Sequence, residues 1–207
     1  MNYCCIPLGP IWTNSYLVDD DNGKAVCFDV GGDPGEITAR LKLDKTQLAA
    51  IILTHGHWDH ILGLAALKEA TGAEVYVPEL DEPKLSDINV NLAQMFGYDV
   101  APVKAEHIVR DGDEFSIGGL SVTAIHTPGH TQGSTSYIVR QNGKSILVSG
   151  DTLFARSIGR TDLPGGDGRA IMRSLARLAA IPGDMPVLPG HGPETSLDVE
   201  RRLNPFM

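Results

Sequence analysis

Three histidines and an aspartate crowd into six positions of the stretch AIILTHGHWDHIL, residues 50 to 62: His55, His57, Asp59 and His60. Imidazole and carboxylate groups this close together suit a divalent transition metal, which takes N and O ligands. Ala50 to Leu53 is a short apolar run rich in β-branched residues and reads as a buried strand. Thr54 to Asp59 is polar and broken by Gly56, so the chain leaves the strand there. In extended chain, residues i and i+2 point the same way, so His55 and His57 can converge on one point. Asp59 and His60 fall where a helix begins. It is expected to run through Leu62, Leu64 and Leu67 toward Thr71.

Three further strand ends carry metal-capable side chains. His130 stands in the loop of IHTPGHTQG, residues 125 to 133, after a strand expected at 120–126. Asp151 follows a strand expected at 144–149, and His191 follows a short one at 187–188. Seven such side chains exceed what one tetrahedral ion needs. They suit two ions with open positions, especially if a carboxylate bridges them. Asp29, at the end of an apolar run, has two readings. It can orient a metal-bound imidazole by accepting its second N–H, or simply form the turn into Gly31-Gly32. His126 precedes the Thr-Pro-Gly-His turn and reads as structural; His107 opens a strand and reads as unrelated to the chemistry.

The elements that must position these groups alternate between strands and helices. Strands are expected at 2–7, 15–19, 24–29, 74–77, 107–109, 114–117 and 135–140. Helices are expected at 34–43, 169–180 and 196–203, the first capped by Asp33 with Pro34 in its first turn. Asn22-Gly23 and Asn142-Gly143 are hairpin signals. Residues 79–99 are mixed and partly helical, and the spacing of Leu92, Met95 and Phe96 reads as core packing, with a lid over an active site as the alternative. Residues 155–168 read as a long loop. This alternation predicts an α/β architecture in one domain spanning 1–207.

Composition narrows the function classes. Hydrophobic content of 42% and charged content of 21% describe an ordinary soluble globular protein. Seventeen Lys and Arg against 26 Asp and Glu give a net charge of −9, which opposes binding to nucleic acid or to anionic membranes. The N-terminus MNYCCIPLGP lacks the basic and apolar regions of a secretory signal, and no stretch reaches bilayer-spanning length. Cys4, Cys5 and Cys27 show no Cys-x-x-Cys spacing and read as free thiols in a reducing cytoplasm. Trp12, in the Gly9 to Asn14 loop, reads first as simple packing, with exposure for contact to substrate or a partner subunit as the alternative.

The runs THGHWDH, TPGHT, SGDTLF and PGHGP, in this order and spacing, resemble the metallo-β-lactamase superfamily over nearly the whole chain. SGDTLFARSIGRTDLPGGD and the C-terminal NPFM resemble the small glyoxalase II-like hydrolases of bacteria. The resemblance implies a four-layer αββα sandwich with two divalent metals at one edge. His55, His57 and His130 would hold one metal, Asp59, His60 and His191 the other, and Asp151 would bridge them. Asp59 would also be catalytic, as a proton shuttle for a poor leaving group. Zinc is the first choice of metal, and iron or manganese suits the same ligands. The implied activity is hydrolysis of a small-molecule thioester or ester of the S-lactoylglutathione type. Class B β-lactamases use a Cys where Asp151 stands, which argues against antibiotic hydrolysis as the native role. Full-length glyoxalase II enzymes take much of their glutathione site from a C-terminal helical domain, whereas 16 residues follow His191 here. Arg160 and Asp162 either face the cleft or pair to fix their loop. Two other activities share the pattern: a mononuclear iron persulfide dioxygenase, which the chain resembles in Gly159 to Asp162, and a lactonase.

Overall fold

The computed structural model describes residues 1–207. Two six-stranded sheets form its centre. The first has the order β1 (Asn2–Leu8), β2 (Thr13–Asp19), β3 (Lys24–Phe28), β4 (Gln47–Ile52), β5 (Glu74–Pro78), β6 (His107–Val109). Its first three strands are antiparallel; β3 to β6 run parallel. The second sheet begins with the antiparallel run β7 (Glu114–Ile117), β8 (Leu120–His126), β9 (Thr135–Gln141), β10 (Lys144–Gly150). A two-stranded hairpin, β11 (Leu153–Phe154) and β12 (Ser157–Ile158), stands apart. The second sheet then closes with β13 (Pro186–Pro189), parallel to β10, and β14 (Thr195–Ser196).

Strand alternation makes this a four-layer molecule. Val26, Phe28 and Ile52 face the second sheet and meet Val122, Tyr137 and Val148 in a core between the sheets. Their neighbours Cys27 and Ile51 face the other way, beneath Ile37 and Leu41 of α1 (Gly35–Asp44) and beneath Leu64 and Leu67. On the opposite side, Leu147 and Val187 pack under Leu175 and Leu178 of α5 (Gly168–Ala179) and Leu197 of α6 (Leu197–Leu203). The expected αββα sandwich is the observed one. No helix is long and apolar enough to cross a membrane.

Local departures have physical causes. The helix expected from Asp59 to Thr71 divides into α2 (Trp58–Ile61) and α3 (Leu64–Thr71). Between them Gly63 donates its N–H to Val30 O, and a Cβ there would lie 1.8 Å from Gly32 O. Close packing against the turn after β3 therefore wins over a continuous helix. Asp33 lies one residue before the N-cap, Pro34, but its carboxylate still accepts from Gly35 N–H. Residues 79–99 form a 3-10 segment, Glu79–Leu85, and the short α4 (Ala93–Phe96). Leu92 is buried as expected, but Met95 and Phe96 are exposed, so the core reading fails for those two. Part of the loop expected at 155–168 belongs to the β11–β12 hairpin.

Candidate metal centre

Every predicted metal-capable side chain lies at the same edge of the sandwich. His55 and His57 leave the end of β4, Asp59 and His60 open α2, and His130 stands between β8 and β9. Asp151 follows β10 and His191 follows β13. Three groupings emerge whose ligand atoms lie within 4.8 Å of one another: His55, His57 and His130; Asp59, His60 and His191; and His55, His60 and Asp151. Asp151 lies between the first two. Its Oδ1 is 3.4 Å from His60 Nε2, while its Oδ2 is 3.4 Å from His130 Nε2 and 3.6 Å from His191 Nε2. Asp59 Oδ2 is 3.2 Å from His191 Nε2 and accepts from the Thr13 hydroxyl.

The surrounding hydrogen bonds fix which imidazole nitrogens are free. Asp29 Oδ2 lies 2.8 Å from His60 Nδ1, so that nitrogen carries the proton. Asp29 also accepts from the Thr54 N–H and hydroxyl, which leaves the Thr54 oxygen to accept from His55 Nδ1 at 3.1 Å. His130 Nδ1 donates to Arg160 O. In His55 and His130 Nε2 is then left with a lone pair facing the cluster. Burial would lower His60, but Asp59, Asp151 and Asp29 raise it well above the usual imidazole range, so without metal its Nε2 also holds a proton, which a bound cation would displace. His57 Nδ1 lies 2.8 Å from His130 Nε2, so these two nitrogens face a common point. Of the two readings open for Asp29, its contact with His60 favours imidazole orientation.

A buried polar atom without a partner costs about 1–3 kcal/mol. Here the buried Nε2 atoms of His55 and His60 and Oδ1 of Asp151 have no hydrogen-bond partner, all in one cluster. Such a concentration of orphaned N and O donors fits divalent cations. The electrostatics agree. Burial would raise the Asp151 carboxyl, but His60, His130 and His191 hold it well below the usual carboxylate range. Burial likewise opposes ionisation of Asp59, yet His60 and His191 keep it low. Burial and neighbouring imidazoles depress His55 and bring His57 down to about 3, so both rings are neutral near pH 7.

A cleft of about 540 Å³ opens onto the cluster. Its walls are Ile11, Trp58, Phe96, Phe154, Ile158 and Leu163, with Arg160 beside them. Arg160 lines the cleft and also pairs with Asp162 through two 2.8 Å bonds at the surface, so for Arg160 the structure shows both the cleft-facing position and the pairing. His126 bonds to Gln132 O and His107 to Glu74; neither joins the cluster. Trp12 is 74% exposed.

One supporting group went unread in the sequence. Asp81 is fully buried and accepts from Gly56 N, between His55 and His57, and from Thr131 Oγ1 and Gly133 N, just after His130. Lys84 completes its shell at 2.6 Å. Asp81 thus ties the two histidine loops together. In the sequence it lies in a run of charges, DEPK, that looks like any solvated turn.

The whole arrangement has close relatives. Residues 8–191 match the Metallo-beta-lactamase superfamily. The probable metallo-hydrolase YqgX of Bacillus subtilis is 37% identical over 100% of this chain and 98% of its own. The hydroxyacylglutathione hydrolase GloC of Haemophilus influenzae is 31% identical over the same shares. Among solved structures, the B3 metallo-beta-lactamase BLEG-1 superposes with a TM-score of 0.93 at 37% identity, covering 99% of both chains. TTHA1623, in a di-iron-bound form, gives 0.86 at 35% identity, over 99% of this chain and 100% of its own. ETHE1 from Myxococcus xanthus gives 0.79 at 30% identity, over 99% and 84%. With its fold, its cluster of donors and its sequence all in agreement, the chain belongs to the metallo-beta-lactamase superfamily.

Proposed function

We propose that this protein is a binuclear metal-dependent hydrolase of small thioesters or esters. His55, His57 and His130 would hold one ion, Asp59, His60 and His191 the other, and Asp151 would be shared. The observation that carries the reading is the position of Asp151, with one oxygen toward His60 and the other toward His130 and His191. Bound divalent ions supply a water acidified toward a pKa of about 7 and an electrophile for a carbonyl oxygen. Zinc is the expected ion, and the di-iron form of TTHA1623 makes iron the competitor.

The chain's own residues do the rest. Asp29, Thr54 and Arg160 O hold the imidazoles in the tautomer that presents Nε2. The apolar walls of the cleft limit water around the reacting carbonyl. Asp59 stays ionised and is engaged by Thr13 and His191, so it is a poor proton donor at neutral pH. A leaving group that departs as a thiolate needs no proton from it, which favours a thioester over an amide. The likeness to GloC supports the same substrate class.

A mononuclear iron persulfide dioxygenase is the second reading, resting on the run Gly159 to Asp162 and the likeness to ETHE1. One preparation separates the two. Protein purified without added metal is assayed for metal content, then tested against S-lactoylglutathione, a lactone and glutathione persulfide. Two ions per chain with hydrolysis supports the proposal. One iron with oxygen consumption overturns it.

A further inference from the structure

The walls of the cleft say what kind of group it takes. Trp58 is nearly buried and stacks on Tyr98, ring centroids 4.1 Å apart and planes 9° from parallel. Its N–H backbone bond to Asn91 O fixes it further. Phe96 leans against the same indole at 5.7 Å yet is 45% exposed, and Ile11 across the mouth is 49% exposed. Two large apolar side chains left half in water at the mouth of a cleft mark a ligand groove. Phe154, Ile158 and Leu163 continue the apolar wall toward the metal-capable cluster. The one Lys or Arg of the lining is Arg160, whose guanidinium is already engaged by both oxygens of Asp162.

We infer that the group seated in this cleft is an uncharged apolar acyl or alkyl chain, rather than an anionic peptide thiol such as glutathione. The inference rests on the hydrolase reading above for its chemistry. Water adds across the acyl–sulfur or acyl–oxygen bond; the acyl carbon keeps the hydroxyl and the thiol or alcohol leaves with the proton. Specificity would come from area buried against Trp58, Phe96 and Ile11, so each methylene added to the chain should raise kcat/KM about threefold to fourfold until the cleft is full.

Binding and turnover test this separately. Two thioethers that cannot be hydrolysed, S-hexyl-N-acetylcysteamine and S-hexylglutathione, share the hexyl chain and differ in charge. Calorimetric titration of the metal-loaded protein should show the neutral compound binding at least tenfold more tightly. Phe96→Asp and Ile11→Asp, both at exposed positions on separate segments, should each weaken it about tenfold. Met172→Asp, on the exposed face of α5 and outside the cleft, should leave it unchanged. Equal or tighter binding of S-hexylglutathione, or indifference to both cleft variants, overturns the inference. Turnover of N-acetylcysteamine thioesters from acetyl to octanoyl then gives the second readout. A flat dependence on chain length with good turnover overturns the apolar preference while leaving the hydrolase reading intact. Tight binding of the neutral thioether with no hydrolysis of any ester or thioester overturns the hydrolase reading instead, and the apolar cleft stands.

Discussion

Asp29 Oδ2 sits 2.8 Å from Nδ1 of His60, although 31 positions separate the two in the chain. The contact is possible because β3 and β4 are parallel neighbours, so the end of one strand meets the loop leaving the other. Asp29 has φ +55°, a left-handed conformation that Asn also tolerates. Asp29→Asn should therefore keep the backbone and lose the charge that holds the His60 proton. Removing such an outer partner costs about 10–100-fold in metal affinity. Competition with a chromophoric chelator measures it, and unchanged affinity would show that Asp29 serves only the turn.

Asp151 offers a sharper loss. It approaches His60 with one oxygen and His130 and His191 with the other, so its removal affects both proposed ion positions. Asp151→Ala should lose at least one metal per chain and most turnover. His107→Ala should stay near the parent protein, because His107 stacks on Tyr76 and bonds to Glu74 far from the cluster. Elemental analysis beside a thioester assay reads both. A fully metallated, fully active Asp151→Ala would contradict the ligand assignment.

Asp81 predicts an asymmetry in stability. Its carboxylate takes four donors, from Gly56, Thr131, Gly133 and Lys84. Asp81→Ala leaves a nearly buried ammonium and two backbone N–H groups unpaired, at a cost of about 3–5 kcal/mol. Lys84→Met removes the cation but leaves three donors on Asp81, so its cost should be clearly smaller. Urea midpoints of the two variants give the ranking. Equal losses would mean that Lys84, and not the pair of loops, is what Asp81 serves.

Asp81 also shows where reading the sequence stops. The seven ligand-type residues were legible because each follows a short apolar run, and strand ends at one edge of a sheet bring distant positions together. Asp29 was half legible: its place at a strand end was plain, but its partner depended on the parallel pairing of β3 and β4. Asp81 lies in a segment with no apolar period, and the two histidine loops meet over it with Lys84 of its own segment. The break at Gly63 was hidden for the same reason, since a helical spacing of leucines continues across it. The helical apolar spacing at Phe96 fits core packing and a cover over a site equally, and does not by itself distinguish core from cleft mouth. Local pattern found the elements; contacts between remote loops decided the rest.

Protonation of the cluster gives the last prediction. In the metal-free protein, burial and then the neighbouring imidazoles depress His55, and the same causes bring His57 down to about 3. In the unfolded chain both rings titrate near about 6.5. The unfolded state therefore binds more protons below that pH, and the stability these residues contribute is lost as pH falls from about 6.5 toward their folded values. His60 works the other way. Burial alone would lower it, but Asp59, Asp151 and Asp29 raise it well above 6.5. Its contribution is complete below about 6.5 and is lost only as pH rises through its folded value. Between pH 6.5 and 5 the depressed pair lowers stability as pH falls, before Asp20 and Asp111, where burial is outweighed by the backbone N–H groups they accept, come into play. The urea midpoint of metal-free protein should accordingly fall from pH 6.5 to pH 5. Added zinc should raise the midpoint at pH 7.5 much more than at pH 5, because a protonated imidazole has no lone pair to offer a metal. A midpoint that is flat over this range would mean that His55 and His57 are not the buried neutral ligands described above.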